Sequence, residues 1–196
     1  MARRDTRPPT IHAPGVALTR RAALLLPALA AARPATATPP LWAALRRGEG
    51  CALMRHAIAP GGGDPPGFRP GACETQRNLS AEGRAQAARI GAAFRAEGLG
   101  QLPVFTSAWC RCRDTAALLG LGPVQALPAL DSFFAGQGDA AASTAALRDW
   151  LRERQGAAVL VTHQVNITAL TGIFPAPGEV VLVDAAGRAL DRQRPG

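Results

Sequence analysis

Two histidines and two arginines carry the chemistry this sequence can offer. Of the three histidines in the chain, His56 directly follows Arg55 at the end of the apolar run Cys51-Ala52-Leu53-Met54, and His163 follows the run Ala158 to Thr162. Arg111 stands shortly after a third such run, Val104 to Ser107. A neutral imidazole is a competent nucleophile toward phosphorus. A guanidinium presents fixed, bidentate donors that match phosphoryl oxygens. Together they suit phosphoryl transfer: one imidazole attacks in line, an alcohol leaves, water releases phosphate from the resulting phosphohistidine, and the arginines hold the equatorial oxygens. The side chains supply the countercharge, so neither a metal nor a cofactor is expected. Either histidine alone is equally well read as one satisfied by backbone groups at a strand end. Both in corresponding places, with Arg55 beside one, favour the chemical role.

The elements that must position these residues alternate between strand and helix. Strands are expected at 51–54, 104–107, 124–127 and 158–162, with a terminal hairpin from 179–184 and 188–190. The run Ala158-Val159-Leu160-Val161-Thr162 is apolar or β-branched throughout, as in a strand covered on both faces. Helices are expected at 41–47, from Ser80 to about Glu97, at 111–119, 144–154 and 165–171. Ser80 is a natural N-cap, and Ala85, Ala88, Ala92 and Phe94 are taken as the buried side of the helix it opens. This alternation predicts an α/β fold, a three-layer α/β/α sandwich with a mostly parallel sheet. In such a sheet ligands bind beyond the carboxyl ends of strands, where Arg55, His56, Arg111 and His163 would gather.

Four segments carry a family resemblance. Leu53-Met54-Arg55-His56-Ala57, Asn78 to Ala87, Ser107 to Ala116 with Arg111 and Thr115-Ala116, and Val161-Thr162-His163 follow one another in the order found in the histidine phosphatase superfamily, and resemble its motifs. The resemblance implies a phosphoglycerate mutase-like fold over 38–196 and a phosphomonoester hydrolase acting through a covalent phosphohistidine. It implies His56 as nucleophile and Arg55, Arg111 and His163 as the grip on the phosphoryl group. The family's usual glycine after the first histidine is Ala57 here.

Relatives with strong phosphatase or mutase activity place a carboxylic acid between the second and third motifs or just after the second histidine. The latter position holds Gln164, which cannot serve. Asp131 is the leading candidate for the acid and Asp64 a weaker one. Without an acid, substrates with good leaving groups, such as phosphohistidine or aryl phosphates, are favoured. Asn78 is a candidate phosphate contact, and Asn166 a candidate for orienting His163. Phe68, Trp109, Phe133 and Phe134 are candidates for the mouth, Trp42 and Trp150 for packing, and Arg113 for a solvent-facing position. Rival readings are a phosphotransferase and a phosphate-binding module without turnover.

The formal net charge of +8 invites a nucleic-acid reading. Its distribution weakens that reading, because six arginines against one acid precede Thr38, leaving sixteen arginines against thirteen acids in the body. The expected partner is a small phosphorylated substrate, not nucleic acid. Arg20-Arg21 followed by the apolar run Ala22 to Ala32 and by Ala35-Thr36-Ala37 reads as a twin-arginine-type export signal over 1–37, too short to span a bilayer. Cleavage after Ala37 would leave no stable membrane insertion and a periplasmic or secreted product, with a phosphorylated envelope sugar or other small phosphomonoester as substrate. In that setting Cys73 can pair with Cys110 or with Cys112, while Cys51 suits a buried thiol. N-terminal sequencing of the exported product should read from Thr38; a product still carrying Arg20-Arg21 would refute the cleavage.

Overall fold

The computed structural model describes residues 40–195. The proposed leader, its cleavage position and His12 lie outside them. The element order is α1 (Pro40–Arg46), β1 (Cys51–Arg55), α2 (Ala81–Ala96), β2 (Val104–Thr106), α3 (Cys110–Leu119), β3 (Val124–Ala126), α4 (Ala140–Glu153), β4 (Val159–Thr162), α5 (Gln164–Thr171), β5 (Val180–Val183) and β6 (Ala189–Gln193). The strands form a six-stranded sheet in the order β3-β2-β4-β1-β5-β6. The first four in that order run parallel, and β5 and β6 are antiparallel, the latter pair being the expected terminal hairpin.

Strand alternation divides the core into two layers. Ala52, Met54, Val104, Val159 and Val161 face Leu41, Trp42, Ile90, Phe94 and Leu119 of α1, α2 and α3. Leu53, Phe105, Leu160 and Val181 face Leu147, Leu151, Ile167 and Leu170 of α4 and α5. The architecture is therefore the three-layer sandwich that the alternation predicts. No helix among the described residues is long and apolar enough to cross a membrane.

Ser80 caps α2 as expected, its Oγ accepting from the Gly83 amide at 3.0 Å. The helix nevertheless buries a different face. Gly83, Ala87, Ile90, Gly91 and Phe94 point inward, while Ala85, Ala88 and Ala92 are exposed. The physical reason is close backbone approach: a Cβ on Gly83 would lie 2.0 Å from the Ile58 carbonyl oxygen, and one on Gly91 would lie 1.9 Å from that of Leu119. Glycine, which adds nothing to an apolar count, marks the tightest contact. Helix α4 also starts earlier than its apolar period suggests, because the Asp139 carboxylate accepts from the Ala141 and Ala142 amides at 2.8 and 3.0 Å and so caps a first turn of small residues.

Gly91→Ala should separate α2 from α3. We expect a loss of about 1–3 kcal/mol of unfolding free energy, typical of overpacking, measured by urea denaturation; wild-type stability in the variant would contradict this packing.

Candidate active site

The site lies at the carboxyl edge of three neighbouring strands. Arg55 pairs with Thr162 in the β1–β4 register, and Thr106 pairs with Val161 in the β2–β4 register. One step further along each strand come His56, His163 and Ser107. The His56 amide still donates to the Thr162 carbonyl at 2.9 Å, and the Ser107 amide to that of Val161 at 3.1 Å. The two imidazoles therefore leave the sheet side by side, ring centroids 5.6 Å apart. Arg111 enters from the first turn of α3. Residues Arg55, His56, Arg77, Arg111, His163 and Phe134 line a cleft with about 550 Å³ of open space, roofed by Gly61, Gly62 and Gly63.

A hydrogen bond sets the tautomer of the His56 ring. His56 Nδ1 lies 2.8 Å from the Ala57 carbonyl oxygen, which can only accept, so Nδ1 carries the proton and Nε2 keeps its lone pair. His163 Nε2 lies 2.9 Å from Ser107 Oγ, which also accepts from the Trp109 amide at 3.3 Å. On the other side of the ring, Arg111 Nη2, which can only donate, lies 3.4 Å from His163 Nδ1. Trp109 packs edge-on against His163 with centroids 5.3 Å apart and stacks on Phe68.

Three arginines surround the nucleophile candidate, and the Nε–H of Arg55, Arg77 and Arg111 is in each case buried without a protein acceptor. Arg55 is held by one bond, Nη1 to the Pro175 carbonyl at 2.9 Å, and Arg77 donates to the Ala59 carbonyl. Buried donors of this kind are costly to leave unpaired. The side chains of all three line the same cleft.

Residues 53–141 match the family model described as the histidine phosphatase superfamily, branch 1. The likeness is to the histidine phosphatase superfamily. The matched stretch includes His56, Arg77 and Arg111 and ends before His163. Among solved structures, a protein histidine phosphatase, SixA, complexed with tungstate, aligns over 74% of this chain and 96% of its own at 15% identity, with a TM-score of 0.53. At that identity it speaks for the fold. A phosphoglycerate mutase from Thermus thermophilus aligns over 72% of this chain and 96% of its own at 25% identity, with a TM-score of 0.55. No curated protein matches the chain in sequence.

The segments that resemble the superfamily's motifs bring Arg55, His56, Arg111 and His163 together at the cleft, as expected. Ala57 replaces the usual glycine at no conformational cost: Ala135 alone among the described non-glycine residues has positive φ, and the Ala57 amide is bound by Thr115 Oγ1 at 3.1 Å. Of the candidates for the mouth, Phe134 lines the cleft while Phe68, Trp109 and Phe133 do not, and Asp131 and Asn78 are not brought to it either. The Asp131 carboxylate accepts from the Ala108 amide at 2.7 Å and does not line the cleft, which instead receives its neighbour Ser132. The Asn78 side chain donates to the Cys73 and Gln76 carbonyls at 2.6 and 3.2 Å, bracing a turn. Asn166 likewise binds the Asp131 carbonyl at 2.8 Å and not His163.

Sequence reasoning missed Arg77 and Ser107. Arg77 immediately precedes the quoted segment that begins at Asn78 and was not singled out. Ser107 was recognised as a strand end and the start of a motif segment, and nothing but the fold places its hydroxyl on His163. A disulfide joins Cys73 to Cys110, tying the turn before Arg77 to the residue before Arg111. Cys51 and Cys112 are free and buried.

Both rings are held uncharged. Burial, and then the nearby arginines, push His56 down to about 3 despite its bond to the Ala57 carbonyl. Burial, His56 and the same arginines push His163 well below its usual value. A histidine depressed in the folded state gains its proton first in the unfolded chain, so stability should fall as pH drops below about 6.5, with a limiting slope of about 1.4 kcal/mol per pH unit for each ring. Thermal melts of wild type and His56→Gln between pH 7 and 4 test this: the wild type should lose stability more steeply on acidification. Parallel curves would show that His56 is not buried in its neutral form.

Proposed function

We propose that this protein is a phosphomonoester hydrolase that works through a phosphohistidine on His56. The observation that carries the reading is the His56–Ala57 hydrogen bond, which leaves Nε2 unprotonated in a cleft lined by Arg55, Arg77 and Arg111. Nε2 attacks phosphorus, the P–O bond to the leaving group breaks, and charge remains spread over the equatorial oxygens. The three guanidiniums and His163 donate to those oxygens. Water then attacks the phosphoimidazole, phosphate leaves, and Nε2 regains its lone pair. Fixed donors of this kind are each worth about 3–4 kcal/mol in a transition state.

The cleft-lining residues include no carboxyl group. Leaving groups that depart with little protonation therefore suit it best. Aryl phosphates meet that condition, and so does phosphohistidine, whose imidazole takes up a proton on its own ring nitrogen. The second reading, a phosphohistidine phosphatase, rests on this feature and on the resemblance to SixA. The mouth, formed by Gly61 to Gly63, Ser132, Phe134, Gln164 and Val165, carries no charge to receive a second phosphate. A mutase acting on bisphosphates is correspondingly disfavoured.

The export-type leader read over 1–37 points to an envelope substrate such as a phosphorylated sugar. The Cys73–Cys110 disulfide is consistent with an oxidising compartment.

Incubation with an aryl phosphate and acid quenching should trap one acid-labile phosphoryl group by intact mass in wild type and none in His56→Ala. Arg111→Ala should lower kcat by about 10²–10³. Labelling that persists in His56→Ala, or an active wild type that never labels, would eliminate the mechanism. Phosphate binding with neither turnover nor labelling would favour a non-catalytic binding module.

A further inference from the structure

A carboxylate stands directly behind the arginine that grips the phosphoryl group. Asp64 lies in the glycine- and proline-rich loop after β1, yet its side chain and that of Arg111 are each only 4% exposed. Asp64 Oδ1 accepts from Arg111 Nη1 at 2.7 Å and from the Arg77 amide at 3.1 Å. Oδ2 accepts from Arg111 Nη2 at 3.2 Å and from Trp109 Nε1 at 3.0 Å. Four donors on two oxygens leave no room for an added proton. Burial alone would raise this carboxyl, but the hydrogen bonds from Arg111, Arg77 and Trp109 and the Arg111 charge hold it below its ordinary range. Asp64 is therefore not the missing acid.

We propose that Asp64 is the positioning residue for Arg111 in the phosphoryl site. The fork is engaged end-on, through Nη1 and Nη2, so the Nε edge of the guanidinium is turned away from the carboxylate. That Nε–H is the buried donor without a protein partner, and Nη2 on the same edge approaches His163 Nδ1. An arginine side chain has many rotamers, and an anion bound by one edge benefits only if that edge is already aimed. Asp64 supplies the aim. It is three residues from Gly61 in sequence, so the contact that orients Arg111 also anchors the loop whose glycines line the cleft. Trp109 takes part in both, binding Asp64 through Nε1 and packing its ring on His163.

This inference rests on the cleft receiving a phosphoryl group, and tungstate binding tests it without turnover. Titration calorimetry of the full chain should show Asp64→Asn weakening tungstate affinity about 10–100-fold, the range found when a partner orienting a first ligand is lost. Asp64→Glu should recover part of the loss. In an Arg111→Ala background, Asp64→Asn should add less than about twofold, because its effect runs through the arginine. A merely structural carboxylate would weaken binding equally in both backgrounds. Unchanged or tighter binding by folded Asp64→Asn, or an equal loss in the Arg111→Ala background, would overturn the proposal. Wild type that binds tungstate but is never phosphorylated would refute hydrolysis while leaving these comparisons decisive for Asp64; wild type that does not bind tungstate would overturn both.

Discussion

Parallel pairing of β2, β4 and β1 is the constraint on which the rest depends. Three adjacent strands running the same way must end at the same edge, and the strands are only three to five residues long. Both faces of the sheet are sealed by helices, so a polar group following a strand has one place to go. His56, Ser107 and His163 are delivered there by backbone hydrogen bonds that continue the ladder one residue past the strands. The geometry of the two imidazoles is thus a property of strand register before it is a property of the side chains.

Electrostatics at that edge is unfavourable for the protein alone. Arg55, Arg77 and Arg111 stand close enough that burial and the charge of Arg111 lower the other two below the usual arginine value. Asp64 offsets part of this positive charge, and both histidines respond by remaining neutral. A cluster with unpaired buried donors contradicts the rules that stabilise a core, and such contradictions concentrate where a ligand completes the set. The neutral rings serve the same end, because a protonated His56 would have no lone pair to offer.

Residues around the cleft are cross-braced from different parts of the chain. The Cys73–Cys110 disulfide, the Asp64–Arg111 pair and the Gln76 side chain, which accepts from the Cys110 amide at 3.0 Å, all join the segment between β1 and α2 to the start of α3. That segment contains little regular structure. Its order comes from these side-chain contacts, and they share the residues that face the cleft.

Much of this was legible in the sequence by itself. Apolar runs located the strands, the alternation of elements specified a three-layer sandwich, and Arg55, His56, Arg111 and His163 were identifiable because local pattern placed each at a strand or helix end. Periodicity misjudged α2 because its closest contacts are made at glycines. Asp131 looked like the acid from its place between motifs, but its direction depends on a hydrogen bond to Ala108 that no local pattern encodes. The partners of Asp64 and Ser107 were decided by tertiary structure alone, since they lie 47 and 56 residues away along the chain. Local sequence determines which residues can carry charge or a lone pair. What the His163 ring bonds to, and which edge of Arg111 is free, is settled only when distant segments meet.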